Sequence, residues 1–169
     1  MANHYSTSIK FIGSDADVAE VMAFVNETDF DFNKIIPMPE ELDQEGNTNI
    51  QEELNWRYKN WGTRNEAMDI ELEGNELYYE TVNGAAIPVL ERISQLFPNV
   101  KIEFSYIDRV NLRGYDGAIQ AGDELWTQYQ DYYPYDEIDE AYQKPSPIET
   151  DTIKSKPSTQ GLMDDDLPF

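Results

Sequence analysis

The stretch Ala67-Met68-Asp69-Ile70-Glu71-Leu72-Glu73 decides the fold, because apolar and acidic residues alternate along it with a period of two. Successive side chains on a strand point to opposite faces, so this pattern buries one face and wets the other, as in an antiparallel sheet. Gly74-Asn75 follows as a turn, and Leu77-Tyr78-Tyr79-Glu80-Thr81-Val82 returns as the hairpin partner. Downstream, Ile87, Leu90, Ile93, Leu96 and Phe97 recur at helical steps, with Asn83 as candidate cap and Pro98-Asn99 as the stop. Val100, Ile102, Phe104 and Tyr106 then alternate with Lys101, Glu103 and Ser105, which predicts a further strand. A turn near Asp108 leads to one or two more strands across residues 111–126.

Upstream, residues 3–12 are rich in β-branched and aromatic side chains and predict an opening strand that Gly13 ends. Ser14 precedes Asp15-Ala16-Asp17, a start in which the Ser oxygen caps a free helix N–H and Asp17 sits near the positive end of the dipole. Val18, Val21, Met22 and Val25 supply that helix with an apolar face. Residues 30–39 hold Pro37 and Pro39 without a helical period, so they read as an extended loop that tucks apolar side chains onto the core. Helical spacing resumes over 49–61 and stops at Gly62. The resulting order, β-α-α-β-β-α-β, predicts an α+β fold of the ferredoxin-like split βαβ type, with an inserted helix between its first helix and second strand.

The pattern places this folded domain at residues 1–128. Residues 129–142 form an acidic, Tyr-rich transition containing Tyr129, Tyr132, Tyr133 and Tyr135, which either docks on a partner or folds back over the sheet. Residues 143–160 carry Pro145, Pro147 and Pro157 among Ser, Thr and Lys, with too few apolar groups to offset the entropy of ordering, and are expected to be a disordered linker. Residues 161–169 form an acidic interaction tip.

With 169 residues the chain has room for one ordinary domain and an extension. Its 34 acidic and 12 basic residues give a formal charge of -22, a surface that repels phosphate unless basic groups are grouped locally. No run approaches the roughly 20 apolar residues of a membrane span, and the first residues lack a leader pattern, so a cytoplasmic protein that does not enter membranes is expected. Cysteine is absent and His4 is the one histidine, which removes thiolate chemistry and leaves little for zinc. No phosphate loop, metal spacing or nucleophile motif stands out, so no catalytic residue, metal or cofactor is expected, and the chain reads as a non-enzyme.

The tip reads Gly161-Leu162-Met163-Asp164-Asp165-Asp166-Leu167-Pro168-Phe169. Asp164, Asp165 and Asp166 suit a basic ridge, while Leu167 and Pro168 present Phe169, whose ring and α-carboxylate fit one pocket with an apolar floor and a basic lip. This tip resembles the C-terminal tail of bacterial single-stranded DNA-binding proteins, in which the tail is the docking handle for DNA-processing enzymes. The resemblance implies host or phage DNA-processing partners with a tail-binding pocket. It covers about nine residues and stops at the linker, because helices interrupt the strands where that family has an OB barrel.

Residues 32–42, from Phe32 through Pro37-Met38-Pro39 to Leu42, and then Trp56-Arg57-Tyr58-Lys59-Asn60-Trp61-Gly62-Thr63-Arg64, resemble the Api92-like or YubB ferredoxin-like family of phages and plasmids. The resemblance spans about residues 1–115 and implies a fold and a mobile-element setting, without catalytic residues. Arg64-Asn65-Glu66 stands where that family usually has lysine, tryptophan and aspartate.

Trp56, Arg57, Tyr58, Lys59, Trp61 and Arg64 form the one basic and aromatic cluster, a combination that single-stranded nucleic-acid binders use and that serves core packing equally well. Tyr78, Tyr79, Phe104 and Tyr106 divide in the same way between base stacking and core. Taken together, the sequence predicts a phage- or plasmid-type single-stranded DNA-binding-like protein of replication or recombination that recruits processing enzymes through its tip. The alternative is an inhibitor or DNA mimic that binds no DNA and occupies tail pockets or basic grooves of host DNA-processing or defence enzymes. Oligomeric state is open.

Overall fold

The computed structural model describes residues 2–43 and 49–131. By its contacts the chain divides after Tyr133, and every element below belongs to the first unit. In chain order the elements are β1 (His4–Ile12), α1 (Asp15–Thr28), α2 (Phe32–Ile35), α3 (Ile50–Trp61), β2 (Met68–Glu73), β3 (Glu76–Val82), α4 (Ile87–Leu96), β4 (Lys101–Asp108), β5 (Arg113–Gln120) and β6 (Asp123–Asp131). The strands form one antiparallel sheet in the order β2-β3-β1-β4-β5-β6. No helix among the described residues is long and apolar enough to cross a membrane.

β1 occupies the centre, with β3 on one edge and β4 on the other. Its registers set Thr7 opposite both Tyr79 and Tyr106, and Ile9 opposite both Leu77 and Phe104. Because paired residues share a face, Ile9, Phe11, Leu77, Tyr79, Ile102, Phe104 and Ile119 point together. They join Val21 and Val25 of α1 and Val89, Leu90 and Ile93 of α4 in the core. Ile107 and Ala118 are buried on the other face, outside that cluster.

The expected elements form for the expected reasons at several points. Ser14 accepts a hydrogen bond from the Asp17 backbone at 3.2 Å and starts α1. Gly62, with φ of 76°, ends α3 in the left-handed region where a residue without Cβ is unstrained. Gly74-Asn75 joins β2 to β3, and two strands rather than one fill the stretch after Asp108.

Three expectations are corrected. Residues 30–39 are not wholly extended: Asp31 accepts from the backbone of Asn33 (2.8 Å) and Lys34 (3.3 Å), which closes the short turn of α2 ahead of Pro37. Phe30, Phe32, Ile35 and Met38 are nevertheless buried. Asn83 does not cap α4, since its side chain accepts from the Asn3 backbone (3.2 Å) and residues 84–86 separate it from the helix. β6 continues to Asp131, so Tyr129 and Gln130 belong to the sheet rather than to a transition segment beginning at 129. The linker at 143–160 and the tip at 161–169 lie outside the described residues.

The turn after α3 packs backbone against backbone at Gly84, where a Cβ would lie 1.9 Å from the Gly62 carbonyl oxygen. Neither main chain has a flexible end to yield. Gly84→Ala is therefore expected to cost about 1–3 kcal/mol in urea unfolding; an unchanged midpoint would contradict this packing.

Candidate nucleic-acid interface

The helices cover one end of the sheet face and leave the other end partly open. There the registers bring Tyr5 (β1), Tyr106 (β4), Tyr115 (β5) and Tyr129 (β6) to one side of the sheet, in a row running across four strands. Adjacent ring centroids lie 6.1, 5.3 and 5.3 Å apart, tilted by 49°, 32° and 68°. Such spacing follows from strand separation, about 4.8 Å, with the rings leaning on one another. Tyr5, Tyr106 and Tyr115 are half-buried, and Tyr129 is 43% exposed.

The row is anchored to the core through Phe104, which stacks on Tyr106 at 6.2 Å and 12°. Phe104 in turn occupies the space above Gly117, where a Cβ would meet its ring at 2.3 Å. Burial first, and then the neighbouring Tyr115, Tyr5 and Glu124, push the Tyr106 hydroxyl up to about 12. Tyr5 is raised by burial, then by Asp108, with smaller effects from Tyr58 and Tyr115. These two phenols therefore remain neutral at physiological pH and add no negative charge to the row.

The cluster expected on α3 separates into two parts. Trp61 is 0% exposed, donates from Nε1 to the Ile36 carbonyl at 2.9 Å, and packs edge-on against Trp56 and Phe32. Arg57 lies 5.0 Å over the Trp61 ring and pairs with Glu53 at 2.7 Å. Trp56, Trp61 and Arg57 thus serve packing. Tyr58 is 56% exposed, and Lys59 and Arg64 are exposed too.

Of the four aromatic residues expected on the strands, Tyr79 and Phe104 are core and Tyr106 belongs to the row. Tyr78 points to the opposite face, where its hydroxyl donates to Glu76 at 2.9 Å. The reading of the sequence missed Tyr5, Tyr115 and Arg113, because their common face is defined only by cross-strand register.

Charge is distributed unevenly over the two faces. Of the nine lysines and arginines among the described residues, five are held by carboxylates: Lys10 by Glu76, Lys34 by Asp29, Arg57 by Glu53, Lys101 by Glu103 and Arg109 by Glu80. Lys10, Lys101 and Arg109 all lie on the face opposite the tyrosines. There Glu80 also accepts from Ser6 Oγ (3.2 Å) and approaches His4 Nδ1 (3.7 Å). On the tyrosine face, Arg113 is exposed and stands opposite Asp108 of β4 and Asp131 of β6.

Asp108 is engaged elsewhere. It accepts from the backbones of Val110 (3.0 Å) and Asn111 (2.9 Å), from Asn111 Nδ2 (2.6 Å) and from the Tyr5 hydroxyl (3.3 Å). Burial raises its carboxyl, but the hydrogen bonds outweigh burial and hold it below its ordinary value. A depressed folded-state value contributes stability above the unfolded-state value, and that contribution is lost as pH falls through the folded one. Asp108→Asn is expected to lower stability by about 1 kcal/mol at neutral pH. It should also flatten the acid limb of stability against pH in urea titrations; parallel curves for the two proteins would contradict this role.

No group of three or more potential ligands among the described residues is arranged to hold a metal ion. No family model matches the chain, and no curated protein matches its sequence. Among solved structures, the chain is similar to protein api92 from Yersinia pseudotuberculosis, which carries a family model for a domain of unknown function. The two share 17% identity with a TM-score of 0.47, over 62% of this chain and 41% of that one. The chain thus matches less than half the length of that protein.

Proposed function

We propose that this is a non-catalytic, cytoplasmic single-stranded DNA-binding-like protein of phage or plasmid type, acting in replication or recombination. Its folded domain stacks bases on the tyrosine row, and its tip recruits DNA-processing enzymes. The observation that carries the DNA-binding part is the row Tyr5-Tyr106-Tyr115-Tyr129, four adjacent phenol rings on one face of the sheet. Base stacking on aromatic rings is sequence-tolerant and contributes about 1–3 kcal/mol per base, so it suits a general single-strand binder. The tip Asp164-Asp165-Asp166-Leu167-Pro168-Phe169 supports recruitment through its likeness to single-stranded DNA-binding tails.

The order of β1, α1, β2, β3, α4 and β4, with neighbours β2-β3-β1-β4, supports a ferredoxin-like core. On this reading α2 and α3 are insertions, and β5 and β6 extend the sheet. The sequence segments 32–42 and 56–64 support membership of the Api92-like or YubB family.

A second reading has its own support. The formal charge of -22 and the capture of five cations by carboxylates favour a protein that presents acids to a basic groove, as an inhibitor or DNA mimic. The two readings differ in one measurable property. Under the first, fluorescence anisotropy of a labelled mixed-sequence single strand shows micromolar or tighter binding that weakens with salt. Deleting residues 161–169 then preserves or strengthens binding, because it removes three aspartates that repel phosphate. Absence of binding by both proteins at low salt would sink the first reading in favour of the second.

A further inference from the structure

Spacing along the tyrosine row constrains what can lie on it. Adjacent centroids are 5.3–6.1 Å apart, whereas stacked bases in a duplex strand rise about 3.4 Å per nucleotide. A strand that keeps its bases stacked therefore falls out of step with the rings after one contact. One whose bases are spread apart can meet successive rings. The row also runs across the β-strands, so the nucleic acid would lie across the sheet from β1 toward β6.

The charge arrangement is equally restrictive. Arg113 precedes Tyr115 by two residues on the same strand face and is exposed. Arg113 stands opposite Asp108 of β4 and Asp131 of β6, and Asp108 is committed to Val110, Asn111 and Tyr5. Arg113 is thus the exposed cation on this face beside the middle of the row. The cations of the opposite face are held by Glu76, Glu80 and Glu103.

We infer that the row selects unstacked, pyrimidine-rich single strands over self-stacked purine runs and over duplex, with Arg113 supplying a phosphate contact. This rests on the DNA-binding reading above and narrows its ligand class. Thymine tracts resist spreading least, since preference in stacking sites follows stacking strength and backbone flexibility.

The test uses the full-length protein with labelled dT12, dA12 and a 12-base-pair duplex in anisotropy titrations over a range of salt. Expected are tighter binding of dT12 than of dA12 and weakest binding of the duplex. Tyr115→Ser and Tyr129→Ser should each weaken dT12 binding by about fivefold or more, while Tyr115→Phe retains it. Arg113→Ala should lower the slope of log affinity against log salt by about 0.7. Circular dichroism checks each variant's fold, and the comparison of the three ligands on the unaltered protein stands even if Tyr115→Ser unfolds. If dT12, dA12 and duplex bind equally, or both serine variants bind dT12 unchanged, this inference falls while DNA binding itself survives. If none of the three is bound, both fall.

Discussion

The register of β1 is the constraint on which the rest of the structure depends. This strand is hydrogen-bonded along both edges, to β3 and to β4, so its alternation fixes the faces of its neighbours. The same odd-numbered positions that place Ile9 and Phe11 under the helices place Tyr5 beyond them. A slip of one residue would exchange Ile9 and Phe11 for Ser8 and Lys10 in the core, which burial would strongly oppose. Core packing therefore also holds the tyrosine row in place, with Phe104 bridging the two by stacking on Tyr106 over Gly117.

Electrostatics gives the two faces different characters. On the face away from the helices, glutamates pair with lysine and arginine both across strands and along β4, and each such pair lowers the positive potential available to a phosphate. On the tyrosine face Asp108 is turned to the β4–β5 turn, and burial keeps the Tyr5 and Tyr106 hydroxyls protonated. The proposed interface would rely on stacking more than on charge, so the proposal accommodates a strongly acidic chain.

Much of the fold was legible because its signals are local. The alternation over residues 100–106, the Ser14 start, the Gly62 stop and the apolar period of α4 each depend on neighbours in sequence. The alternation over 67–73, by contrast, predicts a strand there but not its buried face, since an irregularity between Met68 and Glu71 leaves Ile70 exposed and no residue of β2 buried. The turn at α2 was hidden because its apolar residues lack a period, and its cause is the Asp31 cap together with Glu66, which accepts from the Phe32 backbone at 3.0 Å. Asn83 was misassigned because a polar residue before an apolar period looks like a cap, whereas its partner, Asn3, is distant in sequence. The candidate site was less legible. A basic and aromatic run on α3 drew attention to Trp56 and Trp61, which the core absorbs, while the tyrosines that share one face are separated by up to a hundred or more residues.

Photo-crosslinking tests the central claim most directly. A single strand carrying 5-iododeoxyuridine would be irradiated with the full-length protein and the adducts mapped by mass spectrometry. Crosslinks concentrated on Tyr106, Tyr115 and Tyr129 are the predicted result. Crosslinks to Tyr78 or Trp126, on the opposite face, or none above the level of an unrelated acidic protein, would contradict it.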